Sequence, residues 1–186
     1  MSARSVMRPW GDRGAALGAE VVVDPSAILH DTALIHGRVR LAAGVSVWPN
    51  VVIRAEAHEV VIGEGTNLQD FVMVHVGFET PTIVGRNCSI THHVTIHGCE
   101  IGDDCLIGIN ATVMDGAKIG AGSIVAGHAI VTEGSAFPPG SIIAGTPAKL
   151  VKTRDSAEAN RANAAWYARN AAAYARGVHR MEGWSG

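Results

Sequence analysis

The sequence predicts an all-β chain wound as a parallel β-helix of about six coils, closed by a C-terminal α-helix, and three observations predict it. An aliphatic residue recurs every sixth position, a small side chain stands four positions after most of these rungs, and glycine often follows the rung directly. Self-similarity at a fixed short period is the mark of a stacked architecture.

The ladder begins at Val23 and runs through Leu29, Ile35, Leu41, Val47 and Ile53. After a three-residue insertion it resumes at Ile62, Leu68 and Val74, and after a four-residue insertion at Val84, Ile90 and Ile96. One residue is then skipped, and the ladder continues through Ile101, Ile107, Val113, Ile119, Val125 and Val131. The small positions include Ala27, Ala33, Thr66, Cys88, Cys105, Ala111, Ala117, Ser123 and Ala129, and the glycines Gly63, Gly85, Gly102, Gly108 and Gly120. A helical period of 3.6 cannot produce this pattern, and alternation of period two does not require it. A triangular coil produces it: each hexapeptide makes one short strand and one corner, the rung points inward, and three hexapeptides close a turn. Successive turns then stack about 4.8 Å apart. The alternative is a β-sandwich with accidental periodicity.

After Val131 the pattern fades through Phe137-Pro138-Pro139-Gly140. Asp155 or Ser156 can cap a helix. The alanine-rich stretch from Glu158 to about Met181 places Trp166, Asn170 and Tyr174 on one face, as a helix packed along the coil or against a neighbouring subunit. The expected organisation is an N-terminal arm over 1–20, the coil over 21–150 and a helical segment over 151–186.

Composition narrows the function. A formal net charge of −2 gives no electrostatic drive toward nucleic acid or anionic membrane. No apolar run approaches the roughly 20 residues a bilayer requires. Met1 to Gly18 has arginines but no apolar stretch after them, so it does not read as a secretory signal. Cys88, Cys99 and Cys105 are odd in number and lack C-x-x-C spacing, which predicts free thiols and a cytoplasmic location.

Three of the nine histidines are placed for chemistry. His75 follows rung Val74 and His97 follows rung Ile96, one full turn later, so their imidazoles should stack at one corner. About 4.8 Å between backbones suits two ligands of one metal at roughly 2.0–2.1 Å each. His92 sits one face away and can reach such a metal only across a threefold interface, in a homotrimer with three equivalent sites. His93 competes with His92 for the third place. Three imidazoles leave one tetrahedral position open, the pattern of a catalytic zinc site. The alternative is a set of surface histidines brought into register by the repeat. His30, His36, His58, His128 and His179 have no partner at ligand spacing.

Around these histidines the chain resembles the gamma-class carbonic anhydrase family. The likeness is carried by Ser46-Val47-Trp48-Pro49, Val52-Ile53-Arg54-Ala55-Glu56, Thr66-Asn67-Leu68-Gln69-Asp70 and Val74-His75-Val76. It continues through Pro81-Thr82-Ile83-Val84-Gly85, His92 to Gly98 and Ile101-Gly102, and covers roughly residues 20–150. The resemblance implies a left-handed coil, a trimer, and zinc (iron or cobalt as substitutes) held by His75 and His97 of one subunit and His92 of the next. It implies that Gln69 orients the metal-bound water, that Asp70 stands near substrate, and that Arg54 is an interfacial arginine linked to it. Arg54, Glu56 and Asp70 also read as an intersubunit salt-bridge network. The chain departs from the family where Ala55-Glu56 replaces Gly-Asp after Arg54, where Thr91 precedes His92 in place of glycine, and where Ala57 stands at the acidic proton-shuttle position. Glu79 is a remote substitute for that shuttle, and Ile142 and Ile143 stand where a tyrosine is expected.

Four functions follow. The first is reversible hydration of CO2 to bicarbonate. The second is acyl-CoA thioester hydrolysis at the same site, since Gly108 to Ala117 and the Trp166/Tyr174 helix resemble the branch containing the phenylacetate-pathway thioesterase and carnitine-operon proteins. The third is acyl transfer, from the likeness of Gly145-Thr146-Pro147-Ala148-Lys149 to hexapeptide acetyltransferases. The fourth is a non-catalytic metal-binding trimer.

Overall fold

The computed structural model describes residues 17–180 and shows a parallel β-helix whose strands belong to the rungs. The three faces are filled in rotation. One carries Leu17, Ile35, Ile53, Val74, Ile96, Val113 and Val131, each paired in register with the next. The second carries Val23, Leu41, Ile62, Val84, Ile101, Ile119 and Phe137. The third carries Leu29, Val47, Leu68, Ile90, Ile107, Val125 and Ile143. The first two faces join as one 11-stranded sheet because the strands Leu34–Leu41 and Val52–Ile62 run around their shared corner, and the third is an 8-stranded sheet.

The core is the stack of rungs, and from Ile35 to Val131 every one is at most 3% exposed. Corners turn through residues of positive φ, among them Asn50, Phe71, His93, Asn110 and His128 in successive turns, consistent with left-handed winding. At another corner the turns approach so closely that only glycine fits. A Cβ on Gly63 would lie 2.5 Å from the Gly85 carbonyl carbon, and one on Gly120 would lie 2.3 Å from the Pro139 nitrogen.

One expectation of the coil is corrected. The coil has about seven turns, not about six, because Leu17 pairs below Ile35 and the ladder continues through Phe137 and Ile143. The pattern that fades in sequence through Pro138 and Pro139 continues in the structure, since these prolines lie at a turn between strands, where a missing N–H costs nothing. The chain then reverses: Ala148–Thr153 pairs antiparallel with Ser141–Gly145 and covers the final turn with an exposed strand carrying Lys149 and Lys152.

The helix spans Ala157–Tyr174, shorter than the expected reach to Met181, which lies outside the described residues, as does most of the expected arm over 1–20. The Asp155 carboxylate accepts from the Ala157 amide at 3.1 Å, while Ser156 stands at the N-cap without a side-chain capping bond, its hydroxyl accepting from Arg154 Nε instead. The packed face differs in part. Asn160, Ala164 and Ala171 are buried against the third face of the coil, and Tyr167 joins the expected Tyr174 on Trp48, with ring centroids 5.7 and 5.2 Å away. Polar anchors set that phase: Asn160 donates to the Asp104 and Ser123 carbonyls, and Asn163 accepts from Ser89. Cys88, Cys99 and Cys105 are buried free thiols, and burial pushes the Cys99 thiol up to about 12. No helix among the described residues is long and apolar enough to cross a membrane.

Two stability changes follow. Ile96→Ala, which opens a cavity between Val74 and Val113, is expected to cost about 2–5 kcal/mol in denaturant unfolding, against about 0.5–1.5 for Ile96→Val. Gly63→Ala is expected to cost about 1–3 kcal/mol, because its Cβ meets backbone that cannot move alone.

Candidate metal centre

Residues that directly follow the rungs of the first face form a column on the outside of one corner. His36, Arg54, His75 and His97 are successive register partners in it. Because each preceding rung is buried, each of these side chains points outward. The stacking expected of His75 and His97 is therefore present: ring centroids are 4.8 Å apart, and His75 Nδ1 lies 2.9 Å from His97 Nε2.

The other nitrogen of each ring is committed. His75 Nε2 is 3.1 Å from Glu56 Oε1, which also accepts from Arg54 at 2.6 Å. His97 Nδ1 contacts the Asp115 carboxylate. An ionised carboxylate can only accept, so both of these nitrogens carry the proton. The two nitrogens that face each other at 2.9 Å then both present lone pairs in the neutral rings. That arrangement calls for a positive charge between them, either a second proton or a metal ion. Burial alone would raise the Glu56 carboxyl, but the His75 hydrogen bond and the charges of His75 and Arg54 bring it below its ordinary value.

His92 lies on the next face, two residues past rung Ile90, and repeats the pattern. Its Nδ1 is 3.0 Å from Asp70 Oδ2, one turn below, which leaves Nε2 facing only the Tyr167 hydroxyl, at 3.5 Å. His93 is turned away at the corner, where its exposed ring stacks on Phe71 at 4.8 Å. Each imidazole thus has one carboxylate partner: Glu56 for His75, Asp115 for His97 and Asp70 for His92. Pairing of this kind fixes the tautomer of a metal-ligating histidine, so the donor set fits a metal. Within one chain the three do not meet: among the described residues no three His, Cys, Asp or Glu side chains are grouped to hold an ion. Within one chain Arg54 pairs with Glu56 and Asp70 with His92.

Gln69 is 1% exposed and belongs to the column of Trp48 and Thr91, beside Asp70. Its amide orientation is determined by a polar chain. Asn67 Nδ2 donates to the Cys88 carbonyl, so Asn67 Oδ1 must accept, and it does so from Gln69 Nε2 at 3.0 Å. Gln69 Oε1 is left buried without a partner, an acceptor without a donor. Glu79 is exposed in the turn after His75. Ile143, at the place where the family has tyrosine, is a fully buried rung, and Ile142 precedes it.

Three residues of the site had no assigned role in the sequence. Tyr167 reaches from the helix to put its hydroxyl 3.5 Å from His92 Nε2, and burial and then the Asp70 charge raise its pKa. In an alanine-rich helix, no apolar pattern marks that face. Asn67 orients Gln69, and Asp115 contacts His97. Asp115 stands 18 residues beyond His97, one past the 17-residue turn that pairs Ile96 with Val113, so the ladder did not point to it directly.

These features agree with what the chain is similar to. Residues 98–133 match the family described as bacterial transferase hexapeptide (six repeats). Protein YrdA of Escherichia coli is 37% identical over 117 residues, 59% of this chain and 60% of that protein. Gamma carbonic anhydrase 1, mitochondrial, of Arabidopsis thaliana is 38% identical over 100 residues, 50% of this chain and 36% of that protein. The match thus spans less than two thirds of either curated relative. The crystal structure of a hexapeptide transferase family protein from Anaplasma phagocytophilum superposes with a TM-score of 0.74 at 32% identity, over 84% of this chain and 92% of that one. The chain belongs to the hexapeptide-repeat family, and half of it is similar to part of the gamma carbonic anhydrases.

Proposed function

We propose that this chain forms a homotrimer that binds zinc at each interface, through His75 and His97 of one subunit and His92 of the next, and hydrates CO2 reversibly to bicarbonate. The observation that carries the reading is the pair of imidazole lone pairs turned toward each other at 2.9 Å, with both outer nitrogens tied to carboxylates. A divalent cation supplies the missing positive charge, and when bound, zinc brings the ionisation of water into the neutral range. Iron or cobalt satisfies the same donors.

The chain's own residues account for the rest. Gln69 Oε1, buried and fixed by Asn67, accepts a hydrogen bond from water and sets its orientation. Asp70 holds His92 by Nδ1 and so leaves Nε2 as the nitrogen available to a metal. The Tyr167 hydroxyl is the polar group beside that nitrogen, at the edge of a wall built with Trp48. With Ala57 at the shuttle position, protons leave by exposed groups such as Glu79 or by buffer.

Two further readings use the same scaffold. Acyl-CoA thioester hydrolysis keeps the metal and changes the electrophile. Acyl transfer, supported by the family's transferase description and by the likeness to the hexapeptide transferase family protein from Anaplasma phagocytophilum, needs a histidine base and no metal.

The purified protein is expected to have three times the subunit mass and about one zinc per subunit, and His97→Ala is expected to abolish metal uptake. Stopped-flow CO2 hydration should fall to the buffer rate in His97→Ala; equal rates in wild type and variant would reject the reading. Gln69→Met is expected to keep trimer and metal and to lose roughly 10–100-fold in rate. Thiol release from CoA esters without CO2 hydration would select the thioesterase, and acetyl-CoA turnover by metal-free protein the transferase.

A further inference from the structure

We propose that Asp115 is the positioning residue of His97: its carboxylate fixes the proton on Nδ1 and so decides that Nε2 is the nitrogen offered beside His75. The inference rests on the metal reading above. The contact itself is direct, between His97 Nδ1 and Asp115 Oδ1.

The surroundings are built to hold the carboxylate in that place. A Cβ on Gly98 would lie 2.6 Å from Asp115 Oδ1 and 2.3 Å from Thr80 Oγ1. A Cβ on Gly77 would lie 3.0 Å from Asp115 Oδ2 and 2.1 Å from Thr80 Oγ1. Side chains at either position would displace the carboxylate or the hydroxyl, so both glycines leave the niche to Asp115 and Thr80. Gly98 also has φ +54°, a conformation that favours glycine. The turn that brings Thr80 in is closed by Gly77 N–H donating to the Thr80 carbonyl at 2.9 Å, and it is made from the four-residue insertion after Val74. The Thr80 hydroxyl is buried without a hydrogen-bond partner.

The consequence is a choice between two nitrogens. A neutral imidazole has one donor and one acceptor, and the partner of one nitrogen determines the role of the other. With Asp115 in place, His97 Nε2 keeps its lone pair toward His75. With an amide there instead, the Asn NH2 can donate to Nδ1, and the proton is free to occupy Nε2, the face that a metal needs bare.

The test uses the full chain with 15N-labelled histidine and no metal, with wild type and variant held at the same pH of about 8. Long-range 1H–15N spectra are expected to show His97 of the wild type protonated at Nδ1. In Asp115→Asn the proton is expected to move to Nε2, and zinc affinity, measured by competition with a chromophoric chelator, to fall about 10–100-fold with the trimer intact. A wild-type His97 protonated at Nε2 overturns the inference without recourse to any variant. An unmoved proton in Asp115→Asn, or a zinc affinity equal to that of the wild type, also overturns it. Wild-type protein that takes up no zinc removes the metal reading instead, and the tautomer comparison then decides alone whether Asp115 positions His97.

Discussion

Everything in this molecule depends on the in-register stacking of one turn on the next. Val74 over Ile53 and Ile96 over Val74 place the residues that follow them, Arg54, His75 and His97, in one line at strand spacing. The apolar column resists slippage, because moving a strand by one residue would bring its polar neighbour into the core. The stack is thus a ruler that sets the separation of two imidazoles with no dedicated element. The same ruler places Asp70 beneath His92 and Asp115 beyond His97, so ligand and carboxylate partner come from adjacent turns in each case.

The departures from the ruler all fall at one corner. The insertion after Ile53, the insertion after Val74 and the skipped residue after Ile96 follow three successive rungs of the same face. The first carries Glu56 to the outside of His75. The second brings Thr80 against Asp115, and the third leaves Gly98 at the turn. Regular repeats would give a uniform corner with no room for these groups. Local exceptions to an otherwise consistent pattern are where function is expected to lie.

Position along the ruler also explains what was legible in the sequence. The rungs, the glycine column and the His75–His97 pair are readable because each is a statement about position modulo six. His92 and its partner Asp70 are legible as belonging to another face for the same reason. The helix phase is not legible: between Ala164 and Ala171 alanine occupies both packed and exposed positions, so hydrophobicity carries no phase, and the amides of Asn160 and Asn163 choose it by bonding to the coil. The last turn is hidden because Phe137 and Ile143 are flanked by prolines and glycine that resemble a terminator. The pairing of Arg54 with Glu56 is hidden because spacing alone does not show how far a glutamate in a bulged insertion will reach.

The reversed strand Ala148–Thr153 has a bearing on assembly. A solenoid that stops with its backbone N–H and C=O groups open invites another copy to add end to end, without limit. Here the top edge is occupied by the chain's own return, running in the opposite direction and studded with Lys149 and Lys152, which a parallel strand from a second molecule cannot extend. Axial growth by addition of a parallel strand at that end is blocked.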